Sequence, residues 1–149
     1  MREIEYLDLE DIIYIHDTML SEYGGSTGIK ELGRLENILD MPRSELFGMS
    51  QFPSIFEKAA AYLFYLATGH CFVDANKRTG FSSTSVFLEI NGFDFIADDE
   101  EVYEFVIYVV ESNQRKEEWE RRYPYKDSDE LIPEIALWLE EHCVEIDDA

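Results

Sequence analysis

Basic residues are scarce in this chain. Its 149 residues include 12 lysines and arginines against 33 aspartates and glutamates, which gives a formal net charge of −21. A protein that binds nucleic acid needs a basic face for the phosphate backbone, so direct nucleic-acid binding is not expected. An anionic membrane surface would repel the chain for the same reason. The acidity indicates either a highly soluble protein or one with a basic protein partner, and both interpretations stay open.

Cysteine and long apolar runs are also scarce. Cys71 and Cys143 stand in unrelated contexts, which is typical of reduced thiols in the cytoplasm. The most apolar stretch, "AAAYLFYLATG", is too short to span a bilayer. The first residues, "MREIEYLDLEDI", lack the basic start, the apolar run and the cleavage site of a signal peptide. We therefore expect a cytoplasmic protein without a membrane segment.

Helical periodicity dominates the rest of the chain and predicts a mostly all-α protein. Asp8 is the expected N-cap of the first helix. The segment Ser54–Thr68 is apolar nearly all round, so its helix should lie at the centre of a bundle. A second helix over about Asn76–Ile90 would form an antiparallel hairpin with it. Weak alternation in Glu3–Leu7 is compatible with a short N-terminal strand.

The length predicts one domain of residues 1–149, because two domains would each have too small a hydrophobic core. Asp98 is the expected cap of a further helix that runs to about Glu111. A last amphipathic helix should begin near Ser128. Residues from about 112 to 149 are thus predicted to be an acidic helical extension.

The stretch "HCFVDANKRTG", from His70 to Gly80, is the expected turn between the two central helices. Between Lys58 and Leu88 the chain has three bases and a single acid, so this segment is locally positive in an acidic protein. The turn also precedes the second helix, where free backbone N–H groups and the helix dipole attract anions. This combination predicts a phosphate site.

Four side chains of this turn have the chemistry for transfer from a nucleotide. Lys77 is a point charge of the kind that holds nucleotide phosphates, and Arg78 is a fork that matches phosphate oxygens. Asp74 offers a hard oxygen ligand, and Mg²⁺ is usually held by one or two carboxylates together with substrate phosphates. His70 is a candidate base for a hydroxyl nucleophile. Together they are typical of transfer from a Mg-nucleotide to a hydroxyl.

Taken singly, each group has a structural alternative. His70 and Asp74 could cap or pair around the turn, and the two cations could be solvated charges on a first helical turn. That is the unfavourable end of the helix dipole for basic residues, and an anion would explain their placement. The other two histidines, His16 and His142, are expected on helix surfaces.

The stretch resembles the signature of the Fic/Doc superfamily, His-x-Phe-x-(Asp/Glu)-(Gly/Ala)-Asn-(Gly/Lys)-Arg. More narrowly, "DANKRT" is similar to the motif of death-on-curing (Doc) toxins, and the likeness extends over roughly Tyr6 to Phe95. The resemblance implies the helical Fic fold, a bundle around a central helix–loop–helix hairpin. It also implies that His70 is the general base and that Asp74 binds Mg²⁺. The residues expected to hold the phosphates of ATP are Asn76, Lys77 and Arg78.

Two positions depart from the pattern of the AMP-transferring Fic enzymes. Lys77 stands where those enzymes have glycine, and Phe81 stands where they have a second arginine. The Doc branch shares both departures. The resemblance therefore implies a kinase-like toxin that transfers the γ-phosphate of ATP to elongation factor Tu, together with an antitoxin of the Phd type. Fic-type AMP transfer and a non-catalytic binding module with a Fic fold are the alternatives.

Overall fold

Six α-helices carry most of residues 3–146, the part of the chain that the computed structural model describes. They are α1 (Leu9–Tyr23), α2 (Leu32–Asp40), α3 (Ile55–Thr68), α4 (Asn76–Ile90), α5 (Asp99–Asn113) and α6 (Ser128–Glu141). Short 3-10 turns occupy Met41–Arg43 and Glu118–Glu120. The prediction of a mostly all-α protein is confirmed.

Local capping signals explain where these helices begin. The side chain of Asp8 accepts a hydrogen bond from the Asp11 backbone amide, and the Asp11 side chain accepts one from Asp8 in return. Ser54 and Asp98 cap α3 and α5 in the same way, each accepting from a backbone amide three residues on. Such caps satisfy amides that have no partner inside the helix.

Helix α3 lies at the centre of the bundle, as its apolar composition predicts. It packs most extensively against α4 and α6. Nine of its residues are buried. The buried apolar cluster also includes side chains from each of the other five helices, and α4 contributes through its later turns. The approach of α4 is close at Gly80, where an added Cβ would stand 3.0 Å from the Ala67 backbone nitrogen. The hairpin of α3 and α4 thus holds the intervening loop on a rigid base.

Two short antiparallel strand pairs complete the fold. Strands β1 (Glu45–Leu46) and β2 (Met49–Ser50) form a hairpin before α3. Strand β3 (Phe93–Phe95) follows α4 and pairs with β4 (Cys143–Glu145), which follows α6. The second pair connects two distant segments of the chain across α5 and α6.

The expected strand at Glu3–Leu7 is wrong. These residues have an irregular conformation in the structure. The backbone of Glu5 bonds to the side chain of Asn91 instead, donating to its Oδ1 and accepting from its Nδ2, both at 2.9 Å. A side-chain amide thus replaces the neighbouring strand that Glu5 would otherwise need.

The segment after α5 is less regular than predicted. It is helical over α6 and in the 3-10 turn, while the rest is loop and the short strand β4. Helix α6 buries Leu131, Ile135 and Leu139 in the same apolar cluster as α3. Within residues 3–146, no helix is both long and apolar enough to cross a membrane.

Candidate active site

The loop that joins α3 to α4 has two residues in an unusual backbone conformation. His70 has φ of 51° and Ala75 has φ of 65°, both in the left-handed region that non-glycine residues rarely adopt. His70 follows the C-cap Gly69, and Ala75 is the N-cap of α4. Such strain persists only where surrounding contacts impose it, and it is frequent at functional sites.

A second loop, Gly24–Glu31, supplies several of those contacts. The amide of Val73 donates to the carbonyl of Gly28 at 3.0 Å. The carbonyl of Cys71 accepts from the amides of Lys30 at 2.7 Å and Glu31 at 3.0 Å. The glycine-rich loop after α1 therefore supports the loop between α3 and α4 through backbone hydrogen bonds.

Asp74 is fixed by backbone amides. Its Oδ2 accepts from the amide of Ser26 at 3.1 Å, and its Oδ1 accepts from the amide of Ala75 at 2.8 Å. These hydrogen bonds, that of Ser26 above all, hold the pKa of the Asp74 carboxyl below its usual value. An added Cβ on Gly25 would stand 2.7 Å from Asp74 Oδ2, so only glycine leaves room for the carboxylate there.

Asn76 braces the loop from inside. Its Oδ1 accepts from the backbone amide of Phe72, and its Nδ2 donates to the Phe72 carbonyl, both at 3.0 Å. The side chain thus closes the turn between Phe72 and the start of α4. These two hydrogen bonds hold the loop in its conformation, and the sequence did not reveal them. Its expected contact with phosphate stays a prediction.

The first turn of α4 presents donors and positive charge. The side chain of Ala75 does not cap α4. The first α-helical hydrogen bond runs from the Thr79 amide to the Ala75 carbonyl, so the three preceding amides have no partner within the helix. Lys77 is exposed. The guanidinium of Arg78 donates to the carbonyl of Gly24 at 3.3 Å and lies 5.7 Å from the ring centre of Tyr23. This end of the helix can therefore bind an anion.

The side chain of His70 is exposed and lies beside a cavity of about 460 Å³. Residues from α5 and the segment after it form the other wall of this cavity, among them Asn113, Gln114, Arg115 and Lys116. A hydroxyl that enters the cavity can reach the imidazole. The imidazole of His70 is thus accessible from this cavity.

His16 is the functional residue that sequence reasoning missed. It was expected on a helix surface, but it is 3% exposed, and that prediction is wrong. Its ring stacks on Phe72, with centroids 3.8 Å apart and an angle of 9° between the planes. Its Nε2 lies 2.9 Å from the carbonyl oxygen of Asp74. The signal was available, because His16 follows the buried Ile12 by four positions and so shares its face of α1.

Comparison with known proteins agrees with this architecture. The sequence model of the Fic/DOC family matches residues 6–88, more than half of the chain. The chain belongs to the Fic/DOC family. It is 36% identical over 94 residues to the protein named toxin Doc of Mycolicibacterium smegmatis, covering 63% of this chain and 70% of that protein. It is 37% identical over 89 residues to the protein named protein kinase doc of Escherichia phage P1, covering 60% and 70%.

The donor set of this Fic/DOC protein could hold a magnesium ion only together with oxygen ligands from outside the protein. Among residues 3–146, no group of three or more histidine, cysteine or carboxylate side chains is placed to hold a metal alone. Asp74 is a single carboxylate, and its lowered pKa keeps it ionised at neutral pH. One carboxylate combined with phosphate oxygens and water is an ordinary Mg²⁺ environment. Asp74 would be the protein ligand in such a site.

Two other side chains of this Fic/DOC protein have structural roles. Cys71 is fully buried, and burial raises the pKa of its thiol, which makes it unsuited to act as a nucleophile. Phe81 packs edge-on against Phe95 of β3 at 5.1 Å. Phe81 is therefore an apolar contact between α4 and β3.

Proposed function

We propose that this protein is a toxin-like kinase that transfers the γ-phosphate of ATP to a hydroxyl group of a translation factor similar to elongation factor Tu. The observation that carries the proposal is the loop His70–Arg78. It joins an exposed imidazole beside an open cavity, an ionised carboxylate and a cationic helix N-terminus. Blocked translation in the cytoplasm is the expected effect on the cell.

In this proposal His70 is the general base. Its ring nitrogen takes the proton of the acceptor hydroxyl as that oxygen forms a bond to the γ-phosphorus. The bond between the γ-phosphorus and the bridging oxygen breaks, and ADP leaves. Lys77, Arg78 and the first amides of α4 hold the phosphates and offset their charge. Mg²⁺ bound at Asp74 would neutralise further phosphate charge.

Phosphate transfer is favoured over AMP transfer by two features. Phe81 packs against Phe95, so α4 offers no second arginine at that position to orient the triphosphate. Lys77 is exposed on the first turn, where a relative with glycine would have no charge. The name protein kinase doc of the phage P1 relative also supports a kinase.

The relatives named Doc support a toxin with a cognate inhibitor. We propose an antitoxin of the Phd type as the natural partner. Such a partner would contribute a segment that folds on binding. If a small open reading frame adjoins the gene, its co-expression should relieve the growth arrest expected of the toxin.

The decisive experiment is intact-mass measurement of elongation factor Tu after incubation with this protein, ATP and Mg²⁺. A phosphate increment is expected. The variant His70→Ala should abolish it. The matched variant His142→Ala should retain it, because His142 bonds to Trp138 and Glu101 outside the loop.

The other outcomes separate the alternatives. An adenylyl increment would show AMP transfer instead. The absence of any increment, with both GTP-bound and GDP-bound target tested, would contradict this substrate and favour a binding module. An increment that persists in His70→Ala would show that His70 is not the base.

A further inference from the structure

The segment between α5 and α6, residues 114–127, has five basic and four acidic residues in an otherwise strongly acidic protein. Arg115, Lys116, Arg121, Arg122 and Lys126 lie within it, although the whole chain has only 12 basic residues. All five lie beyond residues 6–88, which the family model matches. This cluster of basic residues therefore lies outside the part of the chain that the family model matches.

Three of these five cations have internal partners. Arg121 donates to the carbonyls of Ser112, Gln114 and Tyr123, and so holds the turn together. Lys126 forms an ion pair with Glu134 at 3.0 Å. Arg122 lies 3.8 Å from a carboxylate oxygen of Glu111.

Arg115 and Lys116 differ from the other three. Both are exposed, and neither forms a hydrogen bond or an ion pair through its side chain within residues 3–146. The Arg115 guanidinium lies 5.4 Å from the ring centre of Tyr125, which limits its range of positions. Two positive charges are thus available to a ligand.

These two cations line the cavity that also contains His70. They line a second cavity of about 620 Å³ as well, between Glu118 and Tyr125. The two cavities therefore share a wall at Arg115 and Lys116. A bound chain could run from His70 across both cations into the second cavity.

An unpaired polar atom marks the same place. Gln114 lines the His70 cavity, and its Oε1 is buried without a hydrogen-bond partner in the part of the chain that the structure describes. A buried acceptor without a partner is costly, and a donor from a ligand would satisfy it. A peptide amide is such a donor.

We infer that Arg115 and Lys116 recognise an acidic segment of the protein substrate beside the hydroxyl that is modified. This inference rests on the proposed function for the role of His70. The nucleotide phosphates are assigned to the first turn of α4, so the cations after α5 are left for the acceptor. Carboxylates of the substrate would pair with them, and the chain between would place the hydroxyl at the imidazole. The remaining acidic surface would repel acidic proteins that approach elsewhere.

The test uses binding without nucleotide, so that it is independent of transfer. The probe is a fluorescein-labelled peptide with a central serine and two glutamates on each side, and its control has glutamines in their place. Fluorescence anisotropy at physiological salt should show about tenfold tighter binding of the acidic peptide, and the double variant Arg115→Gln/Lys116→Gln should remove this advantage. Arg43→Gln is the control, with the expected change within about twofold because Arg43 is exposed and lines neither cavity.

Equal binding of the two peptides would overturn the inference, and so would an equal loss in Arg43→Gln. If elongation factor Tu is phosphorylated, the double variant should raise KM for it about tenfold with kcat little changed. An unchanged KM would also contradict the inference. If no transfer occurs but the acidic peptide binds through these cations, the proposed function fails while the acidic-segment site stands.

Discussion

The imidazole of His16 is stacked on Phe72 and bonded to the backbone of Asp74. One side chain of α1 therefore fixes two residues of the loop between α3 and α4. Phe72 anchors that loop in the core, and Asp74 faces the proposed nucleotide. The distance between helix α1 and the loop is thereby set by a histidine that does not itself reach the cavity of His70.

His16→Phe should retain the stacking and remove the hydrogen bond. We expect a loss of about 1–2 kcal/mol in the free energy of unfolding, because the part-buried Asp74 carbonyl loses its partner. His16→Ala should cost more, since it also leaves a cavity beside Phe72. Urea denaturation measures both, and calorimetry should show weaker ATP binding in each variant. Full stability in His16→Phe would contradict the role given to the hydrogen bond.

Gly25→Ala should displace the Asp74 carboxylate. An added Cβ would stand 2.7 Å from Oδ2, and Gly25 has φ of 127°. Gly24→Ala is the matched control, since Gly24 has φ of 78° but no atom within 4 Å of an added Cβ. Both should lose about 1–3 kcal/mol of stability from backbone strain. Only Gly25→Ala should also weaken Mg²⁺-dependent nucleotide binding in a fluorescence titration; equal weakening in both would show that strain alone matters.

The ionisation of Asp74 should make the free energy of unfolding depend on pH under acidic conditions. Its pKa is lower in the fold than in the unfolded chain, because its charged form accepts amide hydrogen bonds. Its contribution is therefore complete above the unfolded pKa of about 4 and is lost as the pH falls through the folded value. Unfolding curves of Asp74→Asn and the parent protein should differ at pH 7 and converge at the acid end. A constant difference across this range would contradict the shift.

Asn76→Ala should destabilise the loop between α3 and α4 and leave the packing of the buried α3 residues unchanged. The backbone amide and carbonyl of Phe72 would both lose their partner, at a cost of about 2 kcal/mol or more. Asn76→Asp is the matched variant, because a carboxylate can still accept from the amide but cannot donate to the carbonyl. We expect Asn76→Asp to lie between the parent and Asn76→Ala in thermal denaturation. Hydrogen exchange at Phe72 should rise in the same order.

The helices could be predicted because their signals are local. The caps at Asp8, Ser54 and Asp98 and the stop after Ile90 lie within a few residues of the helix ends that they define. The loop of the candidate site was also recognisable, because its chemistry lies in the single stretch from His70 to Arg78.

The features that the sequence did not predict depend on distant partners. Strand β3 is three residues long and pairs with β4 across two helices, so no nearby pattern marks it. The supposed strand at Glu3–Leu7 fails because Asn91, far along the chain, takes its hydrogen bonds. The burial of His16 had a local signal, its position on the same face of α1 as Ile12, but its partners Phe72 and Asp74 are visible only in the folded chain.

The packing of α6 on α3 has a consequence for biosynthesis. A nascent chain that has reached α4 already carries the whole of the His70–Arg78 loop. It lacks the helix that encloses α3, and it lacks strand β4, the partner of β3. The ribosome must therefore translate through α6 and β4 before α3, the helix that leads into the loop, has its complete cover. A protein proposed to stop translation would have a fully packed base for its site only after α6 and β4 have been synthesised.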